Sequence, residues 1–436
     1  MRQPLHLVFL LCCLGQLAAG QATADAKLSI DQRVFTASKV YSQLQLYFSS
    51  SKGSSDPSLD TSYKNYLRAV LATEDRRQFD LATMEFVAQL HNGHTFFWDA
   101  WLNKNDQQPP GFYAALLDGK WVVQTSLLDN LKSGDVIASI DKTPIDSFFQ
   151  QQQRYIAASS TAAQRHNLFL YPYLFPEQFT LTLEDGRKVA INRSLAKEPE
   201  TKTDGRWLKP GQTAYIRIPS FFYPILEDAA FNYVNQFRAA KVLVIDLRNN
   251  PGGLQPMRLL KALMDRPYRG WKDSTAMHIG VLHSFEGGPQ AEDSKGGVPD
   301  YFKGYSDALA ALSNAQLMLG GGTVSSSQPI FHGRLIILID GGCISACEDL
   351  VEPFKDNGRA TLVGEATQGS AGVPYTYDFH NGMSLKISVK REYFPDGSEF
   401  EGVGIKPDIE VHPTIDDFRN GRDPVLEKAL ELAAKP

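Results

Sequence analysis

The chain has 436 residues, 43% hydrophobic and 11% aromatic, enough for roughly three domains of ~150 residues with sizeable cores. Its formal net charge of −5, from 44 basic and 49 acidic side chains, excludes a strongly basic nucleic-acid binder. No basic run forms a DNA or membrane patch.

Residues 1–24 read as a secretion signal, with Arg2 as the positive start, Leu7–Leu14 as the apolar stretch and Ala22-Thr23-Ala24 as the cleavage site. Ala18-Ala19-Gly20 is a second cut. The apolar stretch is too short to span a bilayer, and no later one reaches the needed length. Neither Cys12 nor Cys13 follows a small residue, which argues against a lipid anchor. The expectation is an exported protein, periplasmic or secreted, without a membrane span.

From residue 25 to about 105 the pattern is helical. Val34, Val40-Tyr41, Leu44 and Leu46-Tyr47 recur at helical spacing, and Phe86-Val87 with Leu90 continues it. Ser51–Ser62, rich in Ser, Gly, Asp and Pro, reads as a loop. Asn92-Gly93 ends the last helix, with Gly93 expected in the left-handed cap, so His94 stands on a rigid turn before a β-prone run. His91 and His94 at this spacing, with no third ligand nearby, make a poor metal pair. A loop histidine and a catalytic base are the two readings of His94.

Residues 106–198 change to short strands: Phe112–Leu116, Trp121–Thr125 and Phe179–Leu183, with a Glu184-Asp185-Gly186-Arg187 hairpin turn. Glu198–Asp204 is a polar linker. From 206 to 436 strands and helices alternate, which predicts a buried, largely parallel sheet. Ala214–Ile218, Lys241–Arg248 and Leu335–Ile339 are its strands; Ile225–Ala239, a stretch through Met264, and Glu427–Ala434 are helices. Asp273–Ser327 reads as a long Gly/Ser-rich surface segment with one helix at Asp307–Leu319.

The stretch Leu335–Asp349 carries the chemistry. A buried strand runs into the Asp340-Gly341-Gly342 turn, and a helical pattern starts at Ser345. A serine at a helix N-terminus, where backbone N–H groups favour a developing negative charge, suits an acyl-transfer nucleophile. Taken alone, the stretch reads first as a serine capping the helix. No G-x-S-x-G elbow occurs. Once the signal is removed, Cys343 and Cys347 remain, either paired across this turn or two buried thiols.

Two segments, Ile245–Gly253 and Asp340–Glu348, resemble signatures of the S41 peptidases, the tail-specific, tricorn-like serine proteases with a crotonase/ClpP-like α/β core. Leu90–Thr95, Gly364–Gly369 and Phe400–Asp408 resemble three further motifs, in family order. The carboxy-terminal-processing branch places a lysine base directly after T-x-G; here that residue is Ser370, so the Ser–Lys dyad cannot form. The resemblance then implies Ser345 as nucleophile, His94 as general base and Glu401, with Glu399 as its rival, as the supporting carboxylate. Ala346 and Gly253 are the expected oxyanion donors. Glu348 reads as an ordinary first-turn acid, and Asp246 with Arg248 as a structural pair. Leu131–Asp141 resembles the core of a PDZ module, so residues 106–198 are expected to be a PDZ-like β domain behind a helical cap, with Pro109–Tyr113 a loose carboxylate-binding loop.

The implied protein is an exported serine endopeptidase acting on polypeptides, with no cofactor or metal. The alternatives are a non-catalytic peptide- or apolar-ligand-binding protein on the same fold, and a small-molecule esterase.

Overall fold

The computed structural model describes residues 26–49, 57–106, 108–195, 201–276, 316–325, 329–372 and 374–435. The expected signal at 1–24 lies outside them.

The chain opens with helices Ile30–Tyr47, Pro57–Leu71 and Arg76–Ala88. The first is closed by a capping box: Ser29 Oγ accepts from Gln32 N (3.2 Å), and Gln32 Oε1 accepts from Ser29 N (2.8 Å). The second begins inside the expected Ser51–Ser62 loop, because Pro57 at a first helical position forfeits no needed N–H. After the third helix the left-handed residue is His91 (φ 50°), not Gly93 as expected. Gly93 is required for a different reason, the close approach of Ser370 described below.

An antiparallel sheet follows in the order Phe112–Leu117, Lys120–Ser126, Val136–Ile140, Gln178–Leu183, Lys188–Asn192. The helix Thr161–Asn167 packs beside its edge strand Phe112–Leu117. The second half builds a six-stranded sheet in the order Ile409–Glu410, Ala360–Gly364, Arg334–Ile339, Val242–Asp246, Thr213–Arg217, Asp204–Lys209. All neighbours are parallel except the last pair. Every residue of Val242–Asp246 is buried, as a central parallel strand requires. Leu243 and Ile245 face the core under helices Pro224–Gln236, Met257–Leu263 and Ala346–Asp356, while Val242 and Val244 face the last helix, Pro424–Ala434. Burying each such side chain contributes on the order of 1.5–3 kcal/mol, so the turns at the strand ends stand on a rigid base.

The segment expected as a surface insert begins as a strand. Lys272–Ala276 pairs antiparallel with both Gln316–Gly320 and Arg391–Tyr393. The expected helix Asp307–Leu319 is therefore wrong at Gln316–Leu319, where cross-strand pairing prevails over helical spacing; 307–315 lie outside the described residues. One further pairing positions the site. Phe96–Asp99, just after His94, runs antiparallel to Met383–Ser388 and ties the N-terminal region to the second half.

Candidate active site

Ser345 joins the strand Arg334–Ile339 to the helix Ala346–Asp356 with φ 59° and ψ −125°. A non-glycine residue held there costs about 1–3 kcal/mol and needs its surroundings to enforce it. They do so from several sides. Ser345 N–H donates to Ser370 O (2.9 Å) and to Glu348 Oε2 (3.0 Å). Cys343 and Cys347 form a disulfide across the turn, with Cα atoms 5.5 Å apart. Asp340 Oδ1 accepts from Gly342 N (2.9 Å) and Asn249 N (2.8 Å), joining the ends of two neighbouring strands. Gly252 (φ 78°) packs so closely that a Cβ there would lie 2.9 Å from Ser345 Cβ.

His94 Nε2 is 2.9 Å from Ser345 Oγ. On its other side Nδ1 is 2.9 Å from Ser370 Oγ. The short turn that carries it is fixed by Asn92 Oδ1, which accepts from His94 N and Thr95 Oγ1, and by Thr95 Oγ1, which accepts from Ser388 N (2.9 Å). A Cβ at Gly93 would meet Ser370 Oγ at 2.6 Å, which explains the glycine. Burial of the imidazole, then the Lys386 and Lys390 charges, push its pKa down to about 4. The ring is neutral at physiological pH, and its Nδ1–H tautomer is the one that would donate to Ser370 and leave Nε2 to accept from the serine.

The structure does not bring the Glu401 carboxylate to His94, because Ser370 occupies the Nδ1 side of the ring. Glu401 Oε2 instead accepts from Asn92 Nδ2 at 3.4 Å, and Oε1 is buried with no partner among the described residues. Burial raises Glu401 to about 7, with Arg391 opposing. Glu399 turns outward to Arg391 (2.8 Å).

Glu348 is far more than a first-turn acid. Fully buried, it accepts from Ser345 N (3.0 Å), Gly369 N (2.8 Å), Ser370 N (3.0 Å) and Thr367 Oγ1 (2.5 Å). Burial raises its pKa to about 7 against the pull of these donors. It clamps the Ser345 turn to the segment that presents Ser370. Its spacing after Ser345 matched an ordinary helix start, and nothing local announced the partner at 367–370.

Ala346 N–H and Gly253 N–H have no acceptor among the described residues, whereas Gly252 N–H is taken by Asn250 Oδ1 (2.9 Å). Gly253 (φ 131°) lies against the Phe221–Phe222 peptide, where a Cβ would come within 2.3 Å of Phe222 N. Asp246 anchors the turn from beneath: burial opposes its charge, but Arg217 (2.7 Å) and Arg248 (2.6 Å) outweigh it and hold the carboxyl below its usual range. Among the described residues no group of three or more His, Cys, Asp or Glu is placed to hold a metal ion. A cleft of about 460 Å³ beside the site is lined by Ala115, His166, Gly341, Gln368 and Arg422 and separates the antiparallel sheet from the parallel strand ends.

Residues 212–411 match the sequence profile described as peptidase family S41. The chain is similar to carboxyl-terminal-processing peptidase 3, chloroplastic, of Arabidopsis thaliana, 28% identical over 219 residues that cover 50% of this chain and 34% of that protein. It is similar to the carboxyl-terminal-processing protease of Synechocystis sp., 26% identical over 263 residues, 59% of this chain and 50% of that one. The chain thus spans about a third to a half of these curated relatives. In fold it is similar to the solved structure of mature CPAF complexed with lactacystin, at TM-score 0.66, 15% identity, and coverage of 92% of this chain and 97% of that one. The profile match takes in the strand that leads to Ser345, so residues 212–411 are similar to peptidase family S41.

Proposed function

We propose that the chain is a serine-type endopeptidase whose nucleophile is Ser345 and whose general base is His94. The observation that carries this reading is the 2.9 Å contact between Ser345 Oγ and His94 Nε2 at a strained strand-to-helix turn. A serine hydroxyl attacks only when a neighbouring base removes its proton, and neutral imidazole does so near neutral pH. Ser345 Oγ bonds to the scissile carbonyl carbon while its proton passes to Nε2. The oxyanion faces the Ala346 and Gly253 N–H groups, which are open to donate to it. The C–N bond then breaks, and the departing amine takes the proton from Nε2. A water deprotonated by the same nitrogen releases the acid from the acyl-enzyme. Ser370 accepts from Nδ1–H and keeps the tautomer that leaves Nε2 basic. Glu401 supports the base at one remove, through Asn92.

Residues 106–198 serve as a PDZ-like module that holds polypeptide in the neighbouring cleft, behind an N-terminal helical cap. The protein works after export, a setting that a disulfide beside the nucleophile favours. No helix among the described residues is long and apolar enough to cross a membrane.

The test is labelling with a fluorophosphonate probe, beside Ser345→Ala and His94→Ala. Labelling of the wild type, lost in both variants together with peptide hydrolysis by a factor on the order of 10⁴, is the expected result. A folded wild type that never labels and never cleaves would instead favour a non-catalytic binding protein.

A further inference from the structure

The strand ends that build the site also present apolar side chains with no part in the hydrolytic steps. Along one edge of the six-stranded sheet, four neighbouring strands each deliver a turn. Ala360–Gly364 leads to Ser370, Arg334–Ile339 to Ser345, Val242–Asp246 to Gly252-Gly253, and Thr213–Arg217 to Ser220–Tyr223. The last two turns are laced together: Phe221 N donates to Gly252 O (2.8 Å) and Leu254 N to Phe221 O (2.9 Å). Immediately beyond, Tyr223 is 59% exposed, Ile225 72% and Met257 39%. Phe222 and Leu254 are half-buried.

Scattered exposed apolar residues need no explanation, but these follow within four residues of Phe221 or Gly253, which the laced turns bring together beside the Gly253 N–H proposed to meet the oxyanion. The fold does not require them, since Phe221 and Leu226 supply the core contacts of the same segment. Nor is the segment loose. Ser220 Oγ accepts from Phe222 N (3.0 Å), Leu226 N donates to Tyr223 O (2.9 Å), and Pro224 opens the helix. A preformed apolar surface avoids the entropy of ordering on binding.

We infer that Tyr223, Ile225 and Met257 form a subsite for an apolar or aromatic side chain of the cleaved polypeptide, on the side of the scissile carbonyl that faces Gly253. The inference rests on the hydrolytic reading and adds a substrate preference to it. A chain laid across the strand ends from Ser370 towards Ser220 passes over Ser345 and Gly253 before reaching this surface, so the side chain it meets belongs to a residue close to the cleaved bond.

The experiment compares the purified full chain with the double variant Tyr223→Ser/Ile225→Ser and with Ile225→Leu, using a peptide library for cleavage preference and a fluorophosphonate for nucleophile reactivity. The expected result is an unchanged labelling rate, a fall of about tenfold in kcat/KM for peptides with an apolar residue near the cleaved bond, and a flattened preference. The loss should lie mainly in KM, and Ile225→Leu should retain wild-type selectivity. Unchanged preference with unchanged labelling would overturn the subsite. So would a shift in oligomeric state by light scattering without a change in preference, which would assign the surface to a second copy of the chain. A wild type that never labels would sink the hydrolytic reading itself, and this subsite with it.

Discussion

Ser370 Oγ stands 2.9 Å from His94 Nδ1, on the side of the imidazole away from the Nε2 contact with Ser345. A hydroxyl therefore fills the orienting position for which the sequence suggested a carboxylate, and the closest support from Glu401 reaches the His94 turn only through Asn92. Ser370→Ala should lower kcat about ten- to a hundredfold, the worth of one hydrogen bond to an imidazole that becomes charged in the transition state. Glu401→Gln, acting at one remove, should cost only about two- to fivefold. Steady-state kinetics on both variants checks the ranking; a larger loss in Glu401→Gln would restore the carboxylate as the direct orienter.

Because burial and the Lys386 and Lys390 charges lower His94 to about 4, the acid limb of kcat/KM should fall below pH 5 rather than near the ordinary histidine value. Lys386→Met removes a positive neighbour, favours the imidazolium and should move the limb to higher pH. The same shift bears on stability: as pH falls from about 6.5 towards 4, the unfolded chain takes up a proton that the folded chain refuses, so His94 destabilises the fold across that window. A pH–rate profile with thermal melts at matched pH reads both effects.

Glu348→Gln should be severe despite its similar shape. The carboxylate meets donors on all sides, and an amide would turn its two hydrogens either towards the Ser345 and Ser370 N–H groups at one oxygen position or towards the Gly369 N–H at the other. A loss of about 2–4 kcal/mol is expected, with slower fluorophosphonate labelling even below the melting temperature. Wild-type stability and labelling in this variant would show that the Ser345 turn is held by other contacts.

Replacing both Cys343 and Cys347 by serine should cost about 2 kcal/mol for so short a closed loop. Both sulfurs are fully buried, so brief treatment of the native protein with a dithiol should leave activity unchanged, while refolding under reducing conditions should not restore it. Activity recovered equally with and without oxidant would remove the disulfide from the requirements of the site.

Much of this architecture is legible in the residues themselves. The unbroken apolar runs at Val242–Asp246 and Leu335–Ile339 announce buried parallel strands, and the turns after them carry Gly252, Gly253 and Ser345. The contacts that assemble the site are less legible, because they are made by residues far apart in the chain. Ser370 can be read as a departure from lysine, but not as the partner of His94, 276 residues earlier. The strand character of Gln316–Gly320 depends on Lys272–Ala276 lying beside it, and a single sequence does not display such partners.

The pairing of Phe96–Asp99 with Met383–Ser388 has a consequence for biosynthesis. His94 leaves the ribosome 251 residues before Ser345, and the strand that holds the histidine turn in place follows the serine. A growing chain therefore carries the proposed base and nucleophile without their common frame until the segment through Ser388 has emerged. On the proposed mechanism the geometry acts as a coincidence requirement that would keep the hydroxyl unreactive while its own unfolded polypeptide is the nearest substrate.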